Sequence, residues 1–120
     1  MKHKLIRVAL LIAGLLIACS FASADEPKNI LIVFEGSSDL KNYAMGGGRQ
    51  LATLMGHFNT KIVVKGVEKY VAGEMNGYDY VFYFGFSFRH TVPARFTADV
   101  LQSTKPIIWL NTGFQDFSAR

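Results

Sequence analysis

Apolar residues in this chain fall into short dense runs separated by polar, glycine-containing stretches, and the rhythm alternates between two types. Ile30-Leu31-Ile32-Val33-Phe34 is continuous, β-branched and aromatic, the pattern of a strand buried on both faces. Ile62-Val63-Val64, Tyr80-Val81-Phe82-Tyr83-Phe84 and Ile107-Ile108-Trp109-Leu110 repeat it. Between the runs the spacing changes to the helical one. Leu51, Leu54, Met55 and Phe58 stand at i, i+3, i+4 and i+7, which predicts an amphipathic helix over 49–58 with Asn59 as its stop. The polar stretch from Glu35 to Gly48, with Gly46-Gly47-Gly48, reads as a loop, although the pattern also permits a helix start near Leu40. Val67 to Asn76 reads as a short helix or ordered loop closed by the Asn76-Gly77 turn. Pro93 to Ser103 reads as a helix with Phe96, Val100 and Leu101 as its apolar stripe.

Strands alternating with helices predict an α/β fold with a parallel sheet covered on both faces. The expected form is a three-layer flavodoxin-like sheet of order 2-1-3-4. Lys61 and Lys65, flanking the second strand, suit a sheet edge, because charges there oppose pairing with another molecule. The fourth strand is apolar throughout and makes a poor exposed edge. Asn111-Thr112-Gly113 is a turn, and Phe114 to Arg120 reads as the opening of a further helix. The expectation is therefore that the chain is truncated after the fourth strand and is the front part of a longer protein. The alternative is a small domain whose edge is covered by a partner chain.

The first 24 residues follow a different logic. Lys2, Lys4 and Arg7 precede the unbroken small-and-apolar run Val8 to Ala18, and Ala22-Ser23-Ala24 supplies small-x-small residues for cleavage. This is a secretion signal, with a run too short to span a bilayer, for which roughly 20 residues are needed. The expected product is an exported domain of residues 25–120, periplasmic or extracellular. Leu16-Ile17-Ala18-Cys19 also resembles a lipobox, so lipidation at Cys19 stands as the alternative to cleavage after Ala24. Membrane association is expected only through the signal or such an anchor.

Removing the signal changes the charge argument. The whole chain has 13 basic and 9 acidic residues, but the part after Ala24 has 10 and 9. That near balance offers no electrostatic footprint for nucleic acid. Cys19 is the single cysteine, so the domain itself holds neither disulfide nor thiol. His57 and His90 are far apart in sequence, and no spacing for a metal ligand set appears. Neither a metal nor a cofactor is expected. His57 is expected to interact with the carboxyl end of its helix.

In open parallel sheets, ligands bind beyond the carboxyl ends of the strands. The residues there define the candidate ligand site: Ser37, Ser38 and Asp39 after the first strand, Arg49 after the glycines, Ser87, Arg89 and His90 after the third, and Asn111 after the fourth. The triple glycine could present N–H groups to an anion with Arg49 beside it, but it matches neither G-x-G-x-x-G nor a P-loop, and glycines that merely allow a turn or close packing are the plainer reading. Glu35 and Asp39 could form an acid pair; a solvated loop with Asp39 as a cap is the plainer reading. Gly85-Phe86-Ser87 is half of a nucleophile elbow, with Phe88-Arg89 where the second glycine should stand. A hydrolase using Ser87 and His90 is the enzyme reading; a loop serine beside aromatic packing is the alternative. Seven aromatic residues lie between Tyr78 and Phe88. Core packing accounts for Tyr80 to Phe84, which leaves Phe86 and Phe88 as candidates for contact with a ligand such as a sugar.

Three stretches taken together carry a family resemblance: Leu54-Met55-Gly56-His57-Phe58, Gly77-Tyr78-Asp79-Tyr80-Val81-Phe82-Tyr83-Phe84-Gly85, and Lys105-Pro106-Ile107-Ile108-Trp109-Leu110-Asn111. Pro93, Phe96 and Asp99-Val100 fit between them. The chain resembles, over roughly Asn29 to Gln115, the N-terminal region of exported bacterial proteins of uncharacterised type that carry a divergent polysaccharide-deacetylase-like domain further on. The resemblance implies a flavodoxin-like or amidotransferase-like module ahead of a catalytic barrel, and an association with cell-surface or extracellular polysaccharide. The acidic pair and His-x-x-x-His metal site of such deacetylases are not in this chain, so no catalytic residue carries over. The expected role is a non-catalytic accessory domain, with a carbohydrate ligand and a downstream catalytic domain or partner chain at the fourth-strand edge as partners. A stand-alone periplasmic ligand-binding module is the alternative, and a small serine hydrolase the next.

Overall fold

A computed structural model describes residues 25–36, 40–87 and 91–113. Four strands, β1 (Lys28–Phe34), β2 (Thr60–Gly66), β3 (Tyr80–Gly85) and β4 (Ile107–Asn111), form one sheet of order β2-β1-β3-β4, and every pair is parallel. Helix α1 (Lys41–Met55) joins β1 to β2, and helix α2 (Ala94–Gln102) joins β3 to β4. The β2–β3 connection is made of two short 3₁₀ turns, Val67–Lys69 and Glu74–Gly77. The chain is thus an α/β domain of flavodoxin-like, three-layer form with the expected strand order.

The registers show why the runs are apolar on both faces. Leu31 lies beside Val81 and Val33 beside Tyr83, and these four turn toward α2 and the 3₁₀ turns. There they pack with Val67, Tyr70, Met75, Val92 and Phe96 in the main core. Tyr83 stacks on Trp109 with ring centroids 4.1 Å apart, and the Phe96 ring tilts against both. The alternate residues of β1, Ile30 and Ile32, are buried on the other face, where α1 lies across the sheet with Ala44 and Gly48 as its buried residues. Position β2 at the edge explains its lysines: Lys61 is exposed, and Lys65 pairs with Glu74 at 2.5 Å.

Asp79, Trp109 and Asn111 have structural work in this fold. The Asp79 carboxylate accepts the Asn29 N–H at 2.8 Å while the Asp79 N–H donates to the Asn29 carbonyl at 2.8 Å, fixing the start of β3 to β1. Trp109 Nε1 donates to the Thr112 carbonyl at 2.8 Å, and Asn111 takes a left-handed φ of 74° to make that turn. Asparagine tolerates that region better than most side chains.

Three sequence expectations need correction. The glycine triplet is inside α1, which begins at Lys41, as the alternative start near Leu40 allowed, and not in a loop before it; the helix ends at Met55, short of Phe58. Glu35 is not in a solvated loop: it is 0% exposed. Leu54, Phe58 and Leu101 were expected on core stripes but are 62%, 67% and 56% exposed. The face of α1 that meets the sheet carries the small residues Ala44 and Gly48, so the bulky stripe stands beside the contact. His57 lies exposed in the turn after α1.

Candidate functional site

At the carboxyl ends of the strands, β1, β3 and β4 are tied together by polar contacts of a few residues. The Glu35 N–H donates to the Phe84 carbonyl at 2.9 Å. The Glu35 side chain turns inward, and its Oε2 accepts the N–H groups of Phe86 at 2.6 Å and Ser87 at 2.7 Å. A buried carboxylate without such donors would cost several kcal/mol; two short charge-assisted bonds offset that desolvation. From the other side Thr112 Oγ1 donates to the Ser87 carbonyl at 3.3 Å. Gly85 allows this approach, since a Cβ there would overlap the Thr112 carbonyl.

Phe86 stands at the mouth of a groove between α1 and the end of β3. Its ring stacks on Tyr43 with centroids 5.5 Å apart and planes at 22°. Both rings reach solvent, Tyr43 at 63% exposure and Phe86 at 36%. Two solvent-facing aromatic rings stacked across different elements form an amphipathic platform, with flat apolar faces and one phenolic hydroxyl. The groove is open and has a volume of about 540 Å³. Asn42 and Gln50 supply amides, Leu51, Leu54 and Phe84 supply apolar wall, and Gly46 and Gly47 bring helix backbone to its surface. Among the described residues, no charged side chain lines the groove.

The glycines differ in what they do. A Cβ at Gly47 would come within 2.7 Å of Phe84 Cε1, so glycine there lets the Phe84 ring lie against α1. A Cβ at Gly46 would meet nothing within 4 Å. Glycine inside a helix costs about 1 kcal/mol relative to alanine, and at Gly46 close packing does not require it.

A second polar cluster holds the 3₁₀ segment on α2. Tyr70 Oη donates to Asp99 Oδ2 at 2.6 Å, and the Gly73 N–H donates to the same oxygen at 2.5 Å. Burial, then the bond to Asp99, push the Tyr70 hydroxyl well above the ordinary tyrosine range. The Arg95 guanidinium donates to the carbonyls of Tyr70 and Glu68. These contacts are internal to the fold and lie away from the groove.

Ser37, Ser38, Asp39, Arg89 and His90 lie outside the described residues, as do Phe88 and Cys19. Arg49 is exposed on α1 and is not part of the groove lining; its N–H belongs to the helix interior, so the glycines form no anion cradle, and Gly47 has the close packing that was the plainer reading. Ser87 is half-buried and its backbone joins Glu35 to Thr112. Asn111 is exposed at the turn after β4. Phe86 is where a ligand contact was expected. Tyr43, Asn42 and Gln50 were not foreseen, because their position depends on a helix beginning at Lys41.

Among the described residues there is no group of three or more His, Cys, Asp or Glu able to hold a metal ion, and no helix long and apolar enough to cross a membrane. Compared with protein-family models, with curated proteins and with solved structures, the chain matches none. Its class therefore rests on its own geometry: a parallel α/β domain with an aromatic–amide groove beside the carboxyl ends of its strands.

Proposed function

We propose that this protein is an exported, non-catalytic accessory domain that binds carbohydrate in the groove of α1 and β3, serving a polysaccharide-deacetylase-like protein at the cell surface. The observation that carries the reading is the solvent-facing stack of Tyr43 on Phe86 with the Asn42 and Gln50 amides in the same groove. A sugar ring presents an apolar C–H face to an aromatic ring and hydroxyls at its rim to amides. The described lining residues are uncharged, and that favours a neutral sugar: a carboxylated or sulfated one would lose hydration with no cation among them to replace it. Gly46 fits the same reading: a helical glycine that packs against nothing leaves the groove open where backbone is accessible. The signal-like segment Met1 to Ala24 supplies the location, and the family resemblance supplies the polysaccharide context.

Calorimetric titration of the protein expressed from its full sequence, with cellotetraose, mannotetraose, chitotetraose and an oligogalacturonide, tests the binding. Saturable binding of a neutral tetrasaccharide is expected, weakened about tenfold by Tyr43→Ala, or about 1.4 kcal/mol. Preference for the acidic oligosaccharide, or indifference to the substitution, would contradict the reading. N-terminal sequencing of the secreted product tests export: the expected first residue is Asp25, or a lipidated Cys19 on the alternative route.

A second reading is favoured by one observation. The groove continues along α1 to Leu51 and the exposed Leu54, and α1 is the single helix on that sheet face among the described residues. On this reading the face receives a helix of a downstream domain or partner chain. Leu54→Ser would then abolish that association.

A further inference from the structure

The geometry points to Glu35 as the positioning residue of the aromatic platform: its buried carboxylate holds the backbone of Phe86 and Ser87 and thereby fixes the Phe86 ring against Tyr43. This deepens the carbohydrate reading and rests on it for the identity of the ligand.

Tyr43 and Phe86 belong to different elements, so their stack needs a fixed position on each side. Tyr43 is held by α1, whose first turn is formed by the Tyr43 and Ala44 N–H groups donating to the Leu40 carbonyl. Phe86 has no such support from regular structure, since β3 ends at Gly85. What fixes its backbone is Glu35. Two consecutive N–H groups, Phe86 and Ser87, converge on one oxygen at 2.6 and 2.7 Å, a concave arrangement of backbone donors around an anion. The side chain is fully buried just past the end of β1, and the residue's own N–H is bonded to the Phe84 carbonyl. The Thr112 hydroxyl on the Ser87 carbonyl closes the other side. Glu35 reaches neither the groove nor a ligand in it; it acts through Phe86.

The experiment combines nuclear magnetic resonance with titration by the neutral tetrasaccharide that binds the unaltered full-length protein. Glu35→Asp withdraws the carboxylate by one methylene. Glu35→Gln keeps an acceptor oxygen at the original reach. In Glu35→Asp, the Phe86 and Ser87 amide resonances are expected to shift upfield and the Tyr43–Phe86 ring contacts to disappear, while Tyr83–Trp109 contacts in the core persist. Sugar affinity falls at least fivefold. Glu35→Gln restores the ring contacts and affinity to within twofold. In a Phe86→Ala background, Glu35→Asp changes affinity by less than twofold, because the route through Phe86 is already gone. Unchanged ring contacts in Glu35→Asp would overturn the assignment, and so would an undiminished fivefold loss in the Phe86→Ala background. If no tetrasaccharide binds the unaltered protein, the carbohydrate reading fails, and the ring contacts still decide the role of Glu35.

Discussion

At the residue scale, two buried polar side chains hold distant segments together, and neither role is visible in the sequence around it. Glu35 follows a strand and precedes serines and an aspartate, the composition of a solvated turn, and glutamate is almost never fully buried without partners. Its partners are backbone N–H groups about fifty residues away, which no local pattern encodes. Tyr70 is the same case: its hydroxyl bonds Asp99 across a gap of 29 residues. Tyr70→Phe is expected to cost about 1–2 kcal/mol in chemical denaturation, because Asp99 loses a charge-assisted donor. The pH dependence has a definite sign. The folded pKa lies above the unfolded value near 10. The stabilising contribution is therefore complete below about pH 10 and is lost as pH rises through the folded value. Alkaline titration of tyrosinate absorbance should show a step above the ordinary range that is absent from Tyr70→Phe. Its persistence in that variant would show that another group is responsible.

At the scale of elements, the strands were legible and α1 was half legible, for one reason. A buried parallel strand announces itself by an apolar run that needs no knowledge of its neighbours, and all four runs sit within the observed strands. Helix α1 instead meets the sheet through Ala44 and Gly48, a narrow stripe of small residues that hydrophobicity does not mark. The triple glycine reads as a loop because helix propensity disfavours it, and tertiary packing overrides that preference. Two residues of the bulky stripe detected in the sequence, Leu51 and Leu54, line the groove instead, with Tyr43 and Gln50 along the helix. Phe86 was legible because it lies just past the end of β3, where α/β sheets place ligand sites. Tyr43 was not, since it becomes Phe86's neighbour only once residues 41–48 are helical. Urea denaturation separates the glycines. Gly46→Ala is expected to stabilise by about 0.5–1 kcal/mol, as its methyl meets open space. Gly47→Ala is expected to destabilise by about 1–3 kcal/mol, since it drives against Phe84. Equal effects would mean that the groove does not distinguish them.

At the scale of the whole molecule, the two sheet faces are unequal. One carries α2, the 3₁₀ turns and the aromatic core of Tyr83, Phe96 and Trp109. The other is covered by α1, which contacts β1, β2 and β3, while Phe82 and Phe84, with Ile108 and Leu110 beside them in register, remain half-buried. The groove is the boundary of that cover. A small neutral sugar would occupy its aromatic end, and a helix would extend across Leu51 and Leu54, so the two readings put their contacts at different ends of α1. The most direct measurement is a map of backbone amide shifts while the neutral tetrasaccharides are titrated into the protein. Saturable shifts are expected at Asn42, Tyr43, Gly46, Gln50 and Phe86, with Asn76, Asp99, Gln102 and Ser103 on the far side unmoved. Shifts confined to residues outside the groove, or none with any neutral tetrasaccharide, would contradict it.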